Sequence, residues 1–357
     1  MVVEIGSEIR IRDASKELYD WAQENLIIPN PQYRERERRG LWVGNTPKYL
    51  WLYHVDGSDL IVPTGVGKQV RQFLSEKDKI SVHLADNGIL DYKGTIPLYD
   101  YQKDAVEAMQ RTSCGILQSP CGSGKTQMGI ALAAELSRKV LWITHTQDLL
   151  TQSKTRAEQY FPEETLGTIT AGKAQVGSHI TFATVQTLCK MDLDQFRYTW
   201  DVVIVDECHR LAGSPTQVTM FYKVMNGLAA RHKYGLSATV HRSDGMIKST
   251  FAVLGPVIYK VPDEAVADKT MQVRILQRNT DITVSRSCLD TDGTLDYNEL
   301  LSYLGGNRER NEMIVKDLVR QKGHSCLILA SRLEQLRNIR DLLPDELRGT
   351  SAMIDGG

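Results

Sequence analysis

The stretch Cys114–Thr126, CGILQSPCGSGKT, decides how this chain folds. A short apolar run, Cys114 to Leu117, leads into Gln118, Ser119, Pro120, Cys121, Gly122, Ser123, Gly124, Lys125 and Thr126, and the helix-forming pattern QMGIALAAELSRK follows at once. Strand, glycine-rich turn and helix are the context a phosphate-binding loop needs. Gly122 and Gly124 let the backbone curl so that successive N–H groups point inward, and the helix N-terminus adds partial positive charge. Lys125 can then reach the outer phosphates, and the Thr126 hydroxyl can ligate Mg²⁺. One position departs from the GxxxxGKT pattern: Ser119 stands where its first glycine would be.

Working outward, Leu98–Met109 (LYDYQKDAVEAM) places Tyr101-Gln102 at the start of a helical pattern just upstream of the loop. A glutamine amide can both donate to and accept from an adenine edge, which makes Gln102 a candidate base reader. Downstream the pattern alternates between strand and helix. KVLWITH (Lys139–His145) precedes the helix TQDLLTQSKTRAEQYF, and HITFATVQTL reads as a strand running into a helix. DVVIVDECHR then holds four β-branched apolar residues, Val202 to Val205, ending in Asp206-Glu207. A wholly apolar strand implies a sheet covered on both faces, hence a parallel α/β sheet. Asp206 lies where a second Mg²⁺ contact to a loop-bound nucleotide should come from, and Glu207 can activate an attacking water. KYGLSAT (Lys233–Thr239) is a further strand.

Composition narrows the class. With 357 residues the chain should hold two or three domains, and 41% hydrophobic and 24% charged residues are ordinary for a globular protein. The net charge of −1 excludes a strongly basic protein but leaves room for a local basic face. Six cysteines without a CxxC pair argue against a disulfide framework or zinc site and for a reducing, cytoplasmic setting. No apolar run is long enough to span a membrane, and MVVEIGSEIRIRD lacks the shape of a signal peptide.

Residues 1–95 read as a small α+β accessory domain, 96–262 as the α/β domain of the phosphate loop, and 263–357 as part of a second α/β unit. In the first, VVEIGSEIRIRD suggests a strand and SKELYDWAQENL a helix capped by Ser15. PNPQYRERERRG, with four arginines interleaved with Glu35 and Glu37, reads as a solvated loop or as a basic finger touching phosphates. PTGVGKQ (Pro63–Gln69) mimics a second phosphate loop, but Gln69 replaces the Mg²⁺-binding hydroxyl. DTDGTLDYNEL puts Gly293 and Glu299 at positions four and ten, where a calcium loop needs six and twelve. In the third segment MQVRILQRNT and SCLILAS read as strands, with helices around Glu309–Lys322 and in RLEQLRNIRDLL.

Taken together, YQ, PCGSGKT, THTQDLLTQ, TVQTL, DECH and SAT stand in the order and spacing of the superfamily 2 helicases, which the chain resembles over residues 96–332. GLSATVHRSDGM is similar to the DNA-repair and recombination branch of XPB- and UvsW-like helicases, more than to the RNA-directed DEAD-box group. The N-terminal stretch IIPNPQY…RG…LIVPTGV is similar to the junction-sensing segment of that branch. The resemblance implies RecA-like motor domains, ATP and Mg²⁺ as cofactors, and ATP-driven work on branched or forked DNA without a membrane. It implies that Gln102 reads adenine while Lys125, Thr126, Asp206 and Glu207 form the hydrolytic site. His209, Ser237 and Thr239 would couple nucleotide state to nucleic acid. Thr146, Gln147, Thr187, Arg242 and Arg332 would touch the nucleic acid. The family's later arginine pair does not occur here, Arg308 and Arg310 falling too early, and such arginines contribute on the order of 10³–10⁵ in turnover. Low turnover by these 357 residues alone is therefore expected. An RNA helicase, a restriction motor subunit and a non-hydrolysing, nucleotide-gated binding module are the alternatives.

Overall fold

The computed structural model describes residues 1–213, 218–241, 244–267, 274–289, 293–321 and 323–354. They fall into two compact units, residues 1–272 and 273–357.

The first unit opens with β1 (Val2–Ile5) and β2 (Glu8–Arg12), an antiparallel pair turning at Gly6-Ser7. The single strand expected there is thus a hairpin. Helix α1 (Lys16–Asn25) starts at Ser15, whose Oγ accepts from Leu18 N. Next come β3 (Ile27–Pro29), α2 (Pro31–Arg38), β4 (Tyr49–Trp51), β5 (His54–Asp56), β6 (Asp59–Pro63), α3 (Gly67–Arg71) and β7 (Lys79–Val82). Five of these strands form a sheet in the order β5-β6-β2-β1-β7, and β3 pairs with β4. The arginine-rich stretch is therefore a helix and not the loop expected from its charge. Asn30 caps it by accepting from Gln32 N, Pro31 fits the first turn, and Glu35 pairs with Arg38 and Arg39 one turn on.

The larger sheet is built from β8 (Cys114–Gln118), β9 (Val140–Thr144), β10 (Leu166–Thr170), β11 (Lys173–Gln175), β12 (Ile180–Thr184), β13 (Val202–Asp206), β14 (His232–Ser237) and β15 (Val257–Lys260). Its order is β11-β10-β12-β9-β13-β14-β8-β15, parallel except for β10 with β11. Helices α4 (Asp100–Gln110), α5 (Lys125–Leu136), α6 (Gln147–Glu158), α7 (Val185–Leu188), α8 (Met220–Gly227) and α9 (Ile247–Leu254) connect and cover it. The two-residue period of a strand sorts the core. Val202, Ile204, Val140 and Trp142 pack into one cluster, and Val203, Val205, Leu141 and Ile143 into another. Every residue of β9, β12 and β13 is buried, as a sheet covered on both faces requires.

The small sheet is docked firmly on the large one. Gly65 approaches α9 so closely that a Cβ there would meet Gly255 N at 2.4 Å and Ala252 O at 2.6 Å. Buried Lys233 donates to Ser7 O at 3.0 Å and Met225 O at 2.8 Å. An irregular strap over residues 83–99 is pinned by Ala85 N to Ala229 O, Asn87 N to Asp201 and Tyr92 Oη to Arg138 O.

The second unit holds α10 (Tyr297–Gly306), α11 (Arg308–Arg320), α12 (Leu333–Leu342) and α13 (Asp345–Arg348) around Val315, Ile339 and Leu343. Neither expected strand forms among its described residues: 274–280 and 325–330 carry no regular structure, and Leu327 and Leu329 are more than 80% exposed. A strand needs a neighbour for its backbone groups, and the described residues of this unit offer none. Three residues of the proposed second phosphate-loop look-alike, Gly67 to Gln69, fall in the five-residue α3, too short to resemble α5.

Candidate active site

The loop leaves β8 at Gln118 and enters α5 at Lys125. Gly122 has φ +79° and Gly124 φ +82°, a left-handed conformation costly to any residue with a Cβ. Ser119 needs no such conformation, which is why a side chain is tolerated in place of the first glycine. Its Oγ is buried against Ser123 Oγ, and Ser123 Oγ also donates to Pro120 O at 2.6 Å. Two further bonds brace the loop from α4: Tyr101 Oη and Gln102 Nε2 donate to Ser123 O at 3.0 and 2.9 Å.

Register brings the acidic residues alongside. Ser237 on β14 pairs with Gln118 on β8, and Asp206 on β13 pairs with Leu236 on β14. The loop, Asp206-Glu207 and Ser237 thus emerge from three adjacent strands at one sheet edge, the place where ligands bind in open α/β sheets. Asp206 is 6% exposed. Burial, with the neighbouring Glu207 charge, pushes its carboxyl up to about 6, against the opposing pull of the Glu207 N–H and of Lys125.

Glu207 itself sits at φ +49°, ψ +49°, strained for a non-glycine residue and held by the 3.0 Å bond from its N–H to Asp206 Oδ1. The break ends the strand and brings Glu207 Oε2 within 3.3 Å of His209 Nδ1, which lies 3.0 Å from Ser237 Oγ. Ser237 Oγ donates to Thr239 O at 2.6 Å, so His209 Nδ1 is the donor in its bond to Ser237. Glu207, His209, Ser237 and Thr239 therefore form one connected chain.

Thr146, Gln147 and Thr187 stand beyond the ends of the paired strands β9 and β12, on the same edge. Thr146 Oγ1 caps α6 through Leu149 N, Gln147 accepts from Thr170, and Thr187 Oγ1 is 2.9 Å from Thr184 Oγ1. Arg332 belongs to the second unit, where it donates to Asn298. Arg242 lies outside the described residues.

Beside the loop opens a cavity of about 940 Å³ that Gly122, Ser123, Gly124 and Thr126 line on one side. Tyr99, Gln127 and a polar face of α6 complete it, residues that sequence reading missed. The polar stripe on α6 was the available signal. Among the described residues no group of three or more His, Cys, Asp or Glu could hold a metal by itself. The chemistry present is a glycine-rich loop at a helix N-terminus, one lysine, one threonine hydroxyl and one buried carboxylate. That set suits a nucleotide whose phosphates complete the shell of a hard cation. No helix among the described residues is long and apolar enough to cross a membrane.

Comparison with known proteins agrees with this geometry. Residues 95–242 match the family described as Type III restriction enzyme, res subunit. The DNA 3'-5' translocase XPB2 of Sulfurisphaera tokodaii is 28% identical over 211 residues, covering 57% of this chain and 45% of that protein. A protein of Acanthamoeba polyphaga mimivirus, provisionally named an ATP-dependent RNA helicase, is 24% identical over 278 residues, covering 75% of this chain and 52% of its own length. The chain spans about half the length of these two relatives. Among solved structures, T4 UvsW superposes with a TM-score of 0.53 at 20% identity, covering 96% of this chain and 72% of that one. At that identity the likeness speaks for the fold. The matched region, residues 95–242, carries both the phosphate loop and Asp206–His209, and the likeness to T4 UvsW is one of fold.

Proposed function

We propose that this chain is the nucleotide-driven part of a DNA helicase or translocase acting on forked or branched DNA. The observation that carries the reading is the connected chain from Glu207 through His209 to Ser237 and Thr239, which joins the phosphate loop's edge to the strand ends where nucleic acid would lie.

ATP with Mg²⁺ supplies the cleavable phosphoanhydride. Around it, Gly122 and Gly124 offer backbone N–H groups, and Lys125 neutralises the outer phosphates. Thr126 and Asp206 would hold a divalent cation beside the phosphates, and Glu207 would orient the attacking water and accept its proton. His209 Nδ1 lies 3.3 Å from Glu207 Oε2 and bonds Ser237 Oγ, so a shift at the base is felt at Ser237 and Thr239. Thr146, Gln147 and Thr187 would meet phosphates of one strand, which predicts sequence-independent, salt-sensitive binding. In the accessory region, α2 with Arg34, Arg36, Arg38 and Arg39, next to Trp42 at 84% exposure, supports a second nucleic-acid contact.

Hydrolysis of ATP measured with fork DNA, linear duplex DNA and single-stranded RNA tests the substrate. Greatest stimulation by the fork is expected. Stimulation by RNA alone would favour the mimivirus-like alternative and overturn the DNA assignment.

A further inference from the structure

Residues 30–48 form a lobe closed at its neck. Strands β3 and β4 pair antiparallel from Ile27 with Trp51 to Pro29 with Tyr49. Beyond them Asn30, 1% exposed, ties the two ends together: its N–H donates to Lys48 O at 3.0 Å and its Nδ2 to Pro47 O at 2.8 Å. The chain between is ordered by its own bonds. After α2, Leu41 N donates to Arg36 O at 2.8 Å, Thr46 N to Val43 O at 3.0 Å, and the Arg36 guanidinium to Trp42 O at 3.2 Å. Trp42 rests against Gly44, where a Cβ would meet its ring at 3.0 Å, and is otherwise bare to solvent.

Two properties of this lobe point to a partner. An indole held in place and left uncovered contributes little to the fold, because it buries little apolar area while the turn that presents it loses conformational entropy. Tyr49 and Trp51 extend the aromatic surface along β4, exposed on either side of buried Leu50. The second property is charge. Residues 30–48 hold Arg34, Arg36, Arg38, Arg39 and Lys48 against Glu35 and Glu37, a net of +3 in a chain whose total is −1. A wholly apolar partner would leave that charge unanswered, and a duplex, whose bases stack on one another, would leave the indole unused. An open aromatic face with cations beside it fits an unpaired nucleic-acid strand, the arginines on its phosphates and the ring on a base.

We propose that this lobe is a stacking site for unpaired DNA bases, with Trp42 as the platform and the α2 arginines on the flanking phosphates, so that the accessory region tells single strand from duplex. The assignment deepens the DNA reading above and rests on it.

Equilibrium binding of the full chain, without nucleotide, to an oligothymidylate and to a blunt duplex of the same length tests it. Trp42→Ala should weaken the oligothymidylate about 5- to 150-fold, the effect of losing one stacked base, and leave the duplex unchanged. Trp42→Phe, which keeps a flat ring, should stay close to the parent, whereas Trp42→Leu, apolar without a flat face, should fall with the alanine variant. The side chain is exposed, so none of the three should shift the thermal unfolding temperature. Equal affinity of Trp42→Ala and the parent for the oligothymidylate overturns the proposal. So does the same loss on both probes, or a Trp42→Leu protein that binds like the parent. A parent chain that binds the duplex and not the oligothymidylate overturns this inference alone. One that binds neither probe overturns the DNA reading as well.

Discussion

Replacing Asp206 by asparagine should stabilise the protein in the absence of nucleotide and Mg²⁺. The carboxyl is buried beside Glu207, and its pKa rises from 3.8 to about 6. The folded state then holds this proton more tightly than the unfolded chain does. The stability associated with it is therefore present at low pH and is lost as pH rises from about 4 to about 6. At about 1.4 kcal/mol per pH unit, the penalty at neutral pH is up to about 3 kcal/mol. Asparagine has no charge to bury, and its carbonyl can still accept from Glu207 N. Urea unfolding of both proteins, free of nucleotide and Mg²⁺, at pH 4.5 and pH 7.5 measures the difference. Asp206→Asn should exceed the parent at pH 7.5 and approach it at pH 4.5. Mg²⁺ with ATP should then raise the parent's stability more than the variant's, since ligation of the folded state alone stabilises it. An Asp206→Asn protein less stable than the parent by the same amount at both pH values would refute the reasoning.

Other substitutions test separate parts of the site. Glu207→Gln should retain nucleotide binding and lose about 10²–10⁴-fold in turnover, read by single-turnover hydrolysis, with normal turnover contradicting the general-base role. Lys125→Ala removes a charge-assisted contact and should weaken ATP about 10- to 100-fold in a binding titration. His209→Ala should leave basal hydrolysis largely in place while reducing its stimulation by DNA, since His209 touches Ser237 on one side and Glu207 on the other. Gly65→Val forces side-chain atoms into the backbone of α9, and overpacking of that kind costs about 1–3 kcal/mol in thermal or urea unfolding.

Much of the site was legible because its signals are local. The spacing of Gly122, Gly124, Lys125 and Thr126 sets a turn and a helix start together, and the run Val202–Val205 can only be a strand buried on both faces. The helix α2 was equally local but was masked by its charge: alternating Glu and Arg suggests a solvated loop, whereas the Asn30 cap and the Glu35 pairs one turn apart favour a helix. Other features depend on distant partners. LILAS has strand composition, yet none of the described residues of the second unit pairs with it, and Leu327 and Leu329 are exposed. Gln102 sits in the motif position for a base reader, but its bonds to Tyr99 N and Ser123 O, which tie it to the phosphate loop, show only in the fold. No pattern in the sequence marks Gln127, because its anchors Pro97 and Tyr160 lie 30 and 33 residues away.

The coupling of nucleotide state to DNA is the central claim, and affinity for fork DNA in different nucleotide states tests it most directly. The Glu207→Gln protein, which holds ATP without turnover, would be titrated with fork DNA in Mg²⁺-ATP, in Mg²⁺-ADP and without nucleotide. The account predicts affinities that differ between ATP and ADP by about fivefold or more, with that difference lost when His209→Ala is added. Equal fork affinity in all three states would contradict it.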